Sequence, residues 1–279
     1  MDLGLADKVA LVAGGSSGLG LAVARELAAE GAHIAIGARD RGRLASAERD
    51  LKEVARGRVS TTSVDIFDPD ATRRWVDAVA AELGALHIVV ISGGSPPAGL
   101  VWQFDLDEYK QGVGSVLFPA VSLALAALPH LRAAGWGRLL FVASETASVP
   151  IPSLTLSGMA RAAIVRFAQA AAAELGRDGI TVNVLAPSAT RTQMVERAAA
   201  RLAALQLGSG DAEAQLREMG RHNALGRIAR PEEFAAVAAF LASERASFVT
   251  GGVHLIDGGA SVMGPELPHF TNAPRDTYT

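Results

Sequence analysis

Short runs rich in Val, Ile and Leu recur along this chain between longer segments whose apolar residues fall three and four apart. The runs are KVALVAG (8–14), HIAIG (33–37), RVSTTSV (58–64), LHIVVIS (86–92), RLLFVAS (138–144), ITVNVLA (180–186) and VHLID (253–257). Each is too short for a helix and apolar or rich in β-branched residues, so seven strands are predicted. The segments between them, such as GLAVARELAAEGA and PDATRRWVDAVAAELG, are helical in period, and several close on a glycine (Gly31, Gly84, Gly176) of the kind that ends helices. Strand and helix therefore alternate. Helices long enough to cross over make right-handed βαβ units, and continuously apolar strands imply a parallel sheet covered on both faces. The expected fold is an α/β, doubly wound, seven-stranded parallel sheet. Ligands on such sheets bind beyond the carboxyl ends of the strands, where the strand order reverses.

At 279 residues, 49% of them apolar, the chain suits one large domain, expected over 1–264, with a Pro-containing tail at 265–279. The net charge of −3 offers no basic field for nucleic acid or anionic lipid, and neither is expected as a partner. There is no cysteine, hence no disulfide framework, thiolate nucleophile or Cys-based metal site. The opening MDLGLADKVA lacks a basic segment before an apolar one, so a cytoplasmic protein is the simplest expectation. The most apolar run, Ser115 to Leu131, is interrupted by Pro119 and Ser122 and reads as a buried helix rather than a membrane span. Pro187 to Arg230 is the best candidate for a lid over a substrate.

AGGSSGLG (13–20) follows the first strand and opens a helix. Gly14, Gly18 and Gly20 let the backbone turn tightly, approach a pyrophosphate and pack close to the strand; Ser16, Ser17 and Leu19 supply the exposed backbone between them. A lone glycine triplet is a weak signal, but others follow in order. Asp65 ends the third strand, with Ile66 next; SGG (Ser92, Gly93, Gly94) follows the fourth, Ser144 ends the fifth, and LAPSATRT, with Pro187 and Thr192, comes at the sixth. The chain then runs through GRIARPEEFAAVAAFLASERASFVTGGVHLIDGG. This series resembles the short-chain dehydrogenase/reductase family over roughly residues 5–260, with a likeness to members of the 3-oxoacyl-[acyl-carrier-protein] reductase kind. The resemblance implies a Rossmann fold, a nicotinamide cofactor on the residues just named, a small-molecule carbonyl or alcohol substrate, and a homo-oligomer, dimer or tetramer, built on helices matching 105–133 and 154–176. Ala38 stands directly after the second strand, where the family's NAD users tend to have an acid, and Arg39 follows. A guanidinium suits a 2′-phosphate, which favours NADP over NAD, although NAD is possible; Asp40 serves a ribose or caps the next helix.

One stretch departs from the resemblance. Thirteen residues beyond Ser144 the family has a tyrosine and, four later, a lysine; LTLSGMARAA has Ser157 and Arg161. The family's active-site asparagine falls at Val116. Ser144 alone survives of the four usual positions. A serine hydroxyl is a far weaker acid than a phenol, and Arg161, one helical turn from Ser157, keeps the charge without giving up a proton. Three readings follow: a reductase in which Ser144 and Ser157 polarise the carbonyl while Glu145 or a water supplies the proton; a non-redox dehydratase, lyase or isomerase in which Arg161 steadies an oxyanion and Glu145 is the base; or a cofactor-binding protein without turnover. Arg161 is also placed to hold the nicotinamide ribose. Glu145 alone would more often be a solvated charge at a strand end. Tyr109 is expected to pack at the start of its helix and His130 to lie at the surface, while Trp102 and Phe104 line a substrate pocket or anchor their loop. No His/Asp/Glu cluster suggests a metal.

Overall fold

The apolar runs pair side by side. The computed structural model describes residues 2–204 and 211–263, so the expected tail at 265–279 lies outside the described residues. The strands are Val9–Ala13 (β1), His33–Ala38 (β2), Val59–Ser63 (β3), Ile88–Ile91 (β4), Gly137–Val142 (β5), Ile180–Pro187 (β6) and Val253–Ile256 (β7). All pair in parallel, in the order β3-β2-β1-β4-β5-β6-β7. The order reverses between β1 and β4, which puts the ligand crevice of such a sheet at their carboxyl ends.

Strand residues alternate between two cores. Val9, Leu11, Val89, Ile91, Leu139 and Phe141 pack on one face with Pro69–Leu83 (α3), Leu106–Ala134 (α4) and Thr155–Leu175 (α5). Ala10, Val12, Ile34, Ile36, Val90 and Leu140 pack on the other with Gly18–Ala29 (α1), Arg41–Val54 (α2) and Pro231–Ala242 (α8). Aspartates begin the helices: Asp40 accepts from the Arg43 amide, Asp68 from those of Asp70 and Ala71, and Asp105 from that of Glu108, whose carboxylate returns a bond to the Asp105 amide. Asp40 thus takes the capping role foreseen for it.

Some expectations gain detail and some are corrected. Helix α4 runs unbroken through both Pro119 and Pro129, and by length and composition alone it is the one helix among the described residues that passes for a membrane span. Its buried face (Leu123, Ala124, Ala127, Leu131) is seated on the sheet beside α3 and α5, and that burial outweighs the backbone bonds the prolines remove. Gly176 is right-handed (φ −56°) and leads into a further turn; the left-handed residue that stops the chain is Gly179 (φ 74°). The stretch Pro187–Arg230 contains two helices, Gln193–Ala204 (α6) and Ala212–Arg221 (α7). Asp65 lies past the end of β3 rather than ending it, and Ser144 lies past β5, at the start of a one-turn helix, Glu145–Ala147.

Candidate active site

The glycine turn is built by close contacts. A Cβ on Gly14 would stand 2.4 Å from the Ser92 carbonyl, and one on Gly20 2.4 Å from the Gly14 carbonyl, so the turns after β1 and β4 interlock only with glycine there. Gly18 differs. Its φ is +56°, and a Cβ there would meet only Thr192, whose Cγ2 would lie at 3.6 Å in ordinary contact, so no backbone crowds the turn. Ser17 sits at the N-cap of α1 with extended backbone, and its hydroxyl makes no capping bond. Free amides, a free hydroxyl and space over a helix N-terminus fit a pyrophosphate. Thr192, far away in sequence, closes the turn from the other side.

Around it a cleft of about 700 Å³ is lined by Ser16, Ser17, Gly18, Arg43, Gln193 and Arg197 among others. Arg43 is 3.5 Å from Asp40, and Arg197 rests on the backbone and side-chain oxygens of Gln193, with no carboxylate partner among the described residues. Arg39 is exposed and lies 5.6 Å over the Phe67 ring. The exposed Asp65 carboxylate accepts from the Phe67 amide, and Ile66 Cδ1 lies 3.7 Å from where a Gly93 Cβ would be.

The altered stretch joins the edge of the sheet. Arg161 Nη1 donates to Ser157 Oγ at 3.1 Å, and Nη2 donates to the Gly94 carbonyl at 3.1 Å, tying α5 to the turn after β4. Arg161 Nε is buried without a partner, and burial draws this guanidinium's pKa below its ordinary value with no carboxylate to restore it. Ser157 Oγ also lies 3.4 Å from the Oγ1 of the buried Thr146, whose amide donates to Ser144 Oγ at 3.3 Å. Ser144, Thr146, Ser157, Arg161 and Gly94 thus form one connected set.

Glu145 makes no bond to Ser157 or Arg161. It is not the solvated charge a lone glutamate usually is: burial, and secondarily the Asp257 carboxylate beyond β7, push its pKa up to about 7. Asp257 itself is held by the amides of Gly259 and Ser261. Tyr109 bonds the Val101 carbonyl and packs edge-on to Phe104, so both anchor the loop after β4, whereas Trp102 is 79% exposed; His130 pairs with Asp77. Thr146, Asp257, Arg43 and Arg197 were not singled out from sequence. Only Asp257, placed directly after a strand, carried a positional signal.

A family profile described as enoyl-(acyl carrier protein) reductase matches residues 13–261. The cis-4-hydroxycyclohexanecarboxylate dehydrogenase of Sinomonas cyclohexanicum is 32% identical over 92% of this chain and 98% of its own. The L-sorbose reductase of Gluconobacter frateurii, solved with NADPH and L-sorbose, superposes with a TM-score of 0.89 at 32% identity, covering 95% of this chain and 100% of that one. An NAD+-bound xylitol dehydrogenase superposes at 0.84 with 26% identity, over 91% and 99% of the two chains. With the interlocked glycine turn, the strand order and a profile match spanning nearly all of the fold, the chain belongs to the short-chain dehydrogenase/reductase family of oxidoreductases.

Proposed function

We propose that the protein is an NADP(H)-dependent oxidoreductase of a carbonyl or alcohol substrate whose proton is carried by Glu145 in place of a tyrosine. The observation that supports it most is the meeting, at one sheet edge, of a glycine turn roomy enough for pyrophosphate with the Ser144, Ser157 and Arg161 set. The bound dinucleotide supplies or accepts the hydride. Ser144 Oγ accepts from the Thr146 amide, so its own O–H is free to donate to a substrate oxygen. Ser157 Oγ accepts from Arg161, which polarises its O–H in the same way. Arg161 orients these groups and the adjoining ribose. Glu145, with a pKa of about 7, is near half-protonated at neutral pH and holds the proton for reduction or takes it up in oxidation. Arg39, with Arg43 and Arg197 on the neighbouring cleft, favours a phosphorylated ribose. Apolar residues exposed on α4 and α5, Phe118 and Met159 among them, are covered by a second copy in a homo-oligomer.

A non-redox lyase, dehydratase or isomerase is favoured by one observation, the guanidinium without a counter-charge, which suits a substrate oxyanion. Titrating NADPH and NADH by fluorescence, then following oxidation of the cofactor over a panel of ketones, separates the two. Substrate-dependent oxidation is expected. Tight binding with no oxidation of cofactor by any ketone overturns the redox reading, and equal affinity for the two nucleotides overturns the NADP preference. The paired change Ser157→Tyr with Arg161→Lys should lower native turnover if the present pair is specialised; a gain would mark it as a degraded form of the family's arrangement.

A further inference from the structure

We infer that a second cavity, sharing no residue with the Ser144, Ser157 and Arg161 set, binds a small organic oxyanion with an apolar body. The cavity, about 360 Å³, lies between α7 and the segment entering α8. Leu216, Ile228 and Ala229 give it an apolar lining, and Arg191, Arg217, Arg227 and Arg230 stand around it with a single carboxylate, Glu213.

The four guanidiniums are not alike. Arg191 is engaged by Glu196 at 3.0 Å and by Glu213 itself. Arg227 takes both oxygens of Glu233, at 2.8 and 2.7 Å. Arg230 is left with the edge of that same carboxylate at 3.5 Å, and Arg217 has no ion pair or hydrogen bond among the described residues. Three carboxylates are therefore consumed on two arginines, and two guanidinium forks remain facing an apolar floor. Mostly apolar walls with a few converging polar groups are the usual make-up of a small-ligand site, and the arginine fork matches a carboxylate or phosphate. Exposed cations alone would hold only screened ions, and an apolar floor alone would take any hydrophobe. Together they specify a ligand whose charged head meets Arg217 and Arg230 while its body covers Leu216 and Ile228.

The cavity wall also belongs to the cofactor side. Ala229 pairs with the 189–191 segment, its amide donating to the Ala189 carbonyl at 3.1 Å and its carbonyl accepting from the Arg191 amide at 2.8 Å, and Thr192 comes next. The ligand sits against the strip of backbone that carries Thr192 to the glycine turn.

Calorimetric titration of the full chain with octanoate and with octyl phosphate tests this, with acetate and inorganic phosphate as heads alone and octanol as a tail alone. One molecule per chain is expected, bound by at least one amphiphile about tenfold more tightly than by its head or tail, and the stronger of the two identifies the head. The double variant Arg217→Glu/Arg230→Glu should weaken binding by about tenfold or more at an unchanged melting temperature. Octanol binding as tightly as octanoate and octyl phosphate, no saturable binding of either amphiphile, or affinity unchanged in the double variant each overturns the inference. A variant that melts early is replaced by Arg217→Gln/Arg230→Gln, for which the same loss is required.

Discussion

Glu145 is where pH enters the chemistry. Its pKa is raised from 4.5 to about 7 by burial first and by the Asp257 carboxylate second. Below pH 4.5 folded and unfolded chains both carry this proton; between 4.5 and 7 the unfolded chain ionises first, so stability present at low pH is lost as pH rises. Glu145→Gln should therefore change denaturant stability little at pH 4 and raise it by about 1–2 kcal/mol at pH 8, a figure discounted for the partial exposure of the group. In the proposed reaction, reduction should decline above about pH 7 and oxidation below it, and the same variant should lose both limbs along with most of the rate. A profile unchanged in Glu145→Gln would take the proton away from this residue. The glycines separate fold from function in the same way. Gly20→Ala drives a Cβ into the Gly14 carbonyl and should lower the melting temperature sharply, whereas Gly18→Ala makes only an ordinary contact with Thr192 and bears the strain of its positive φ, about 1–2 kcal/mol. Its expected signature is a folded protein with weakened nucleotide binding, read by fluorescence titration.

Helix α4 shows how local chemistry serves the site. Asp105 and Glu108 cap it reciprocally, and Asp105→Ala should cost about 1 kcal/mol in chemical denaturation, with loosening concentrated near the Tyr109–Val101 contact. Most of the fold was legible in the chain because strands and helices announce themselves by period: all seven strand runs lie within a few residues of where β1 to β7 form. Pro119 lies within the buried helix read over Ser115 to Leu131, because burial against the sheet overrides the proline's local preference, and α5 closes at Gly176 as read, although the left-handed residue is Gly179. The site was half legible. Gly14, Gly18, Ser92, Ser144, Ser157 and Arg161 follow strands or sit at fixed spacing, so a linear reading finds them. Thr146 could not be found that way, since its role comes from an 11-residue jump to Ser157 across two elements. Arg197 was hidden likewise, on the far wall of a cleft whose near wall is the glycine turn.

Taken as one body, the protein leaves a greasy flank. On α4, Phe118 is 67% and Leu125 55% exposed, and Met159 on α5 is 49% exposed. In the proposed homo-oligomer these side chains form part of the interface. Phe118→Asp with Leu125→Asp should shift the chain to a smaller species in sedimentation or size exclusion while the isolated fold survives, because neither side chain contributes to the core; an unchanged species would place the interface elsewhere. The parallel sheet also has a consequence in time. Residues of the site are drawn from Gly14 to Asp257, and β7, which delivers Asp257, is an edge strand paired only with β6. A ribosome emitting this chain releases the glycine turn first and the strand bearing Asp257 near the end. Until that last strand docks, Glu145 lacks the neighbouring carboxylate that helps set its proton affinity, so a nascent or truncated chain that already grips nucleotide would still carry an untuned acid.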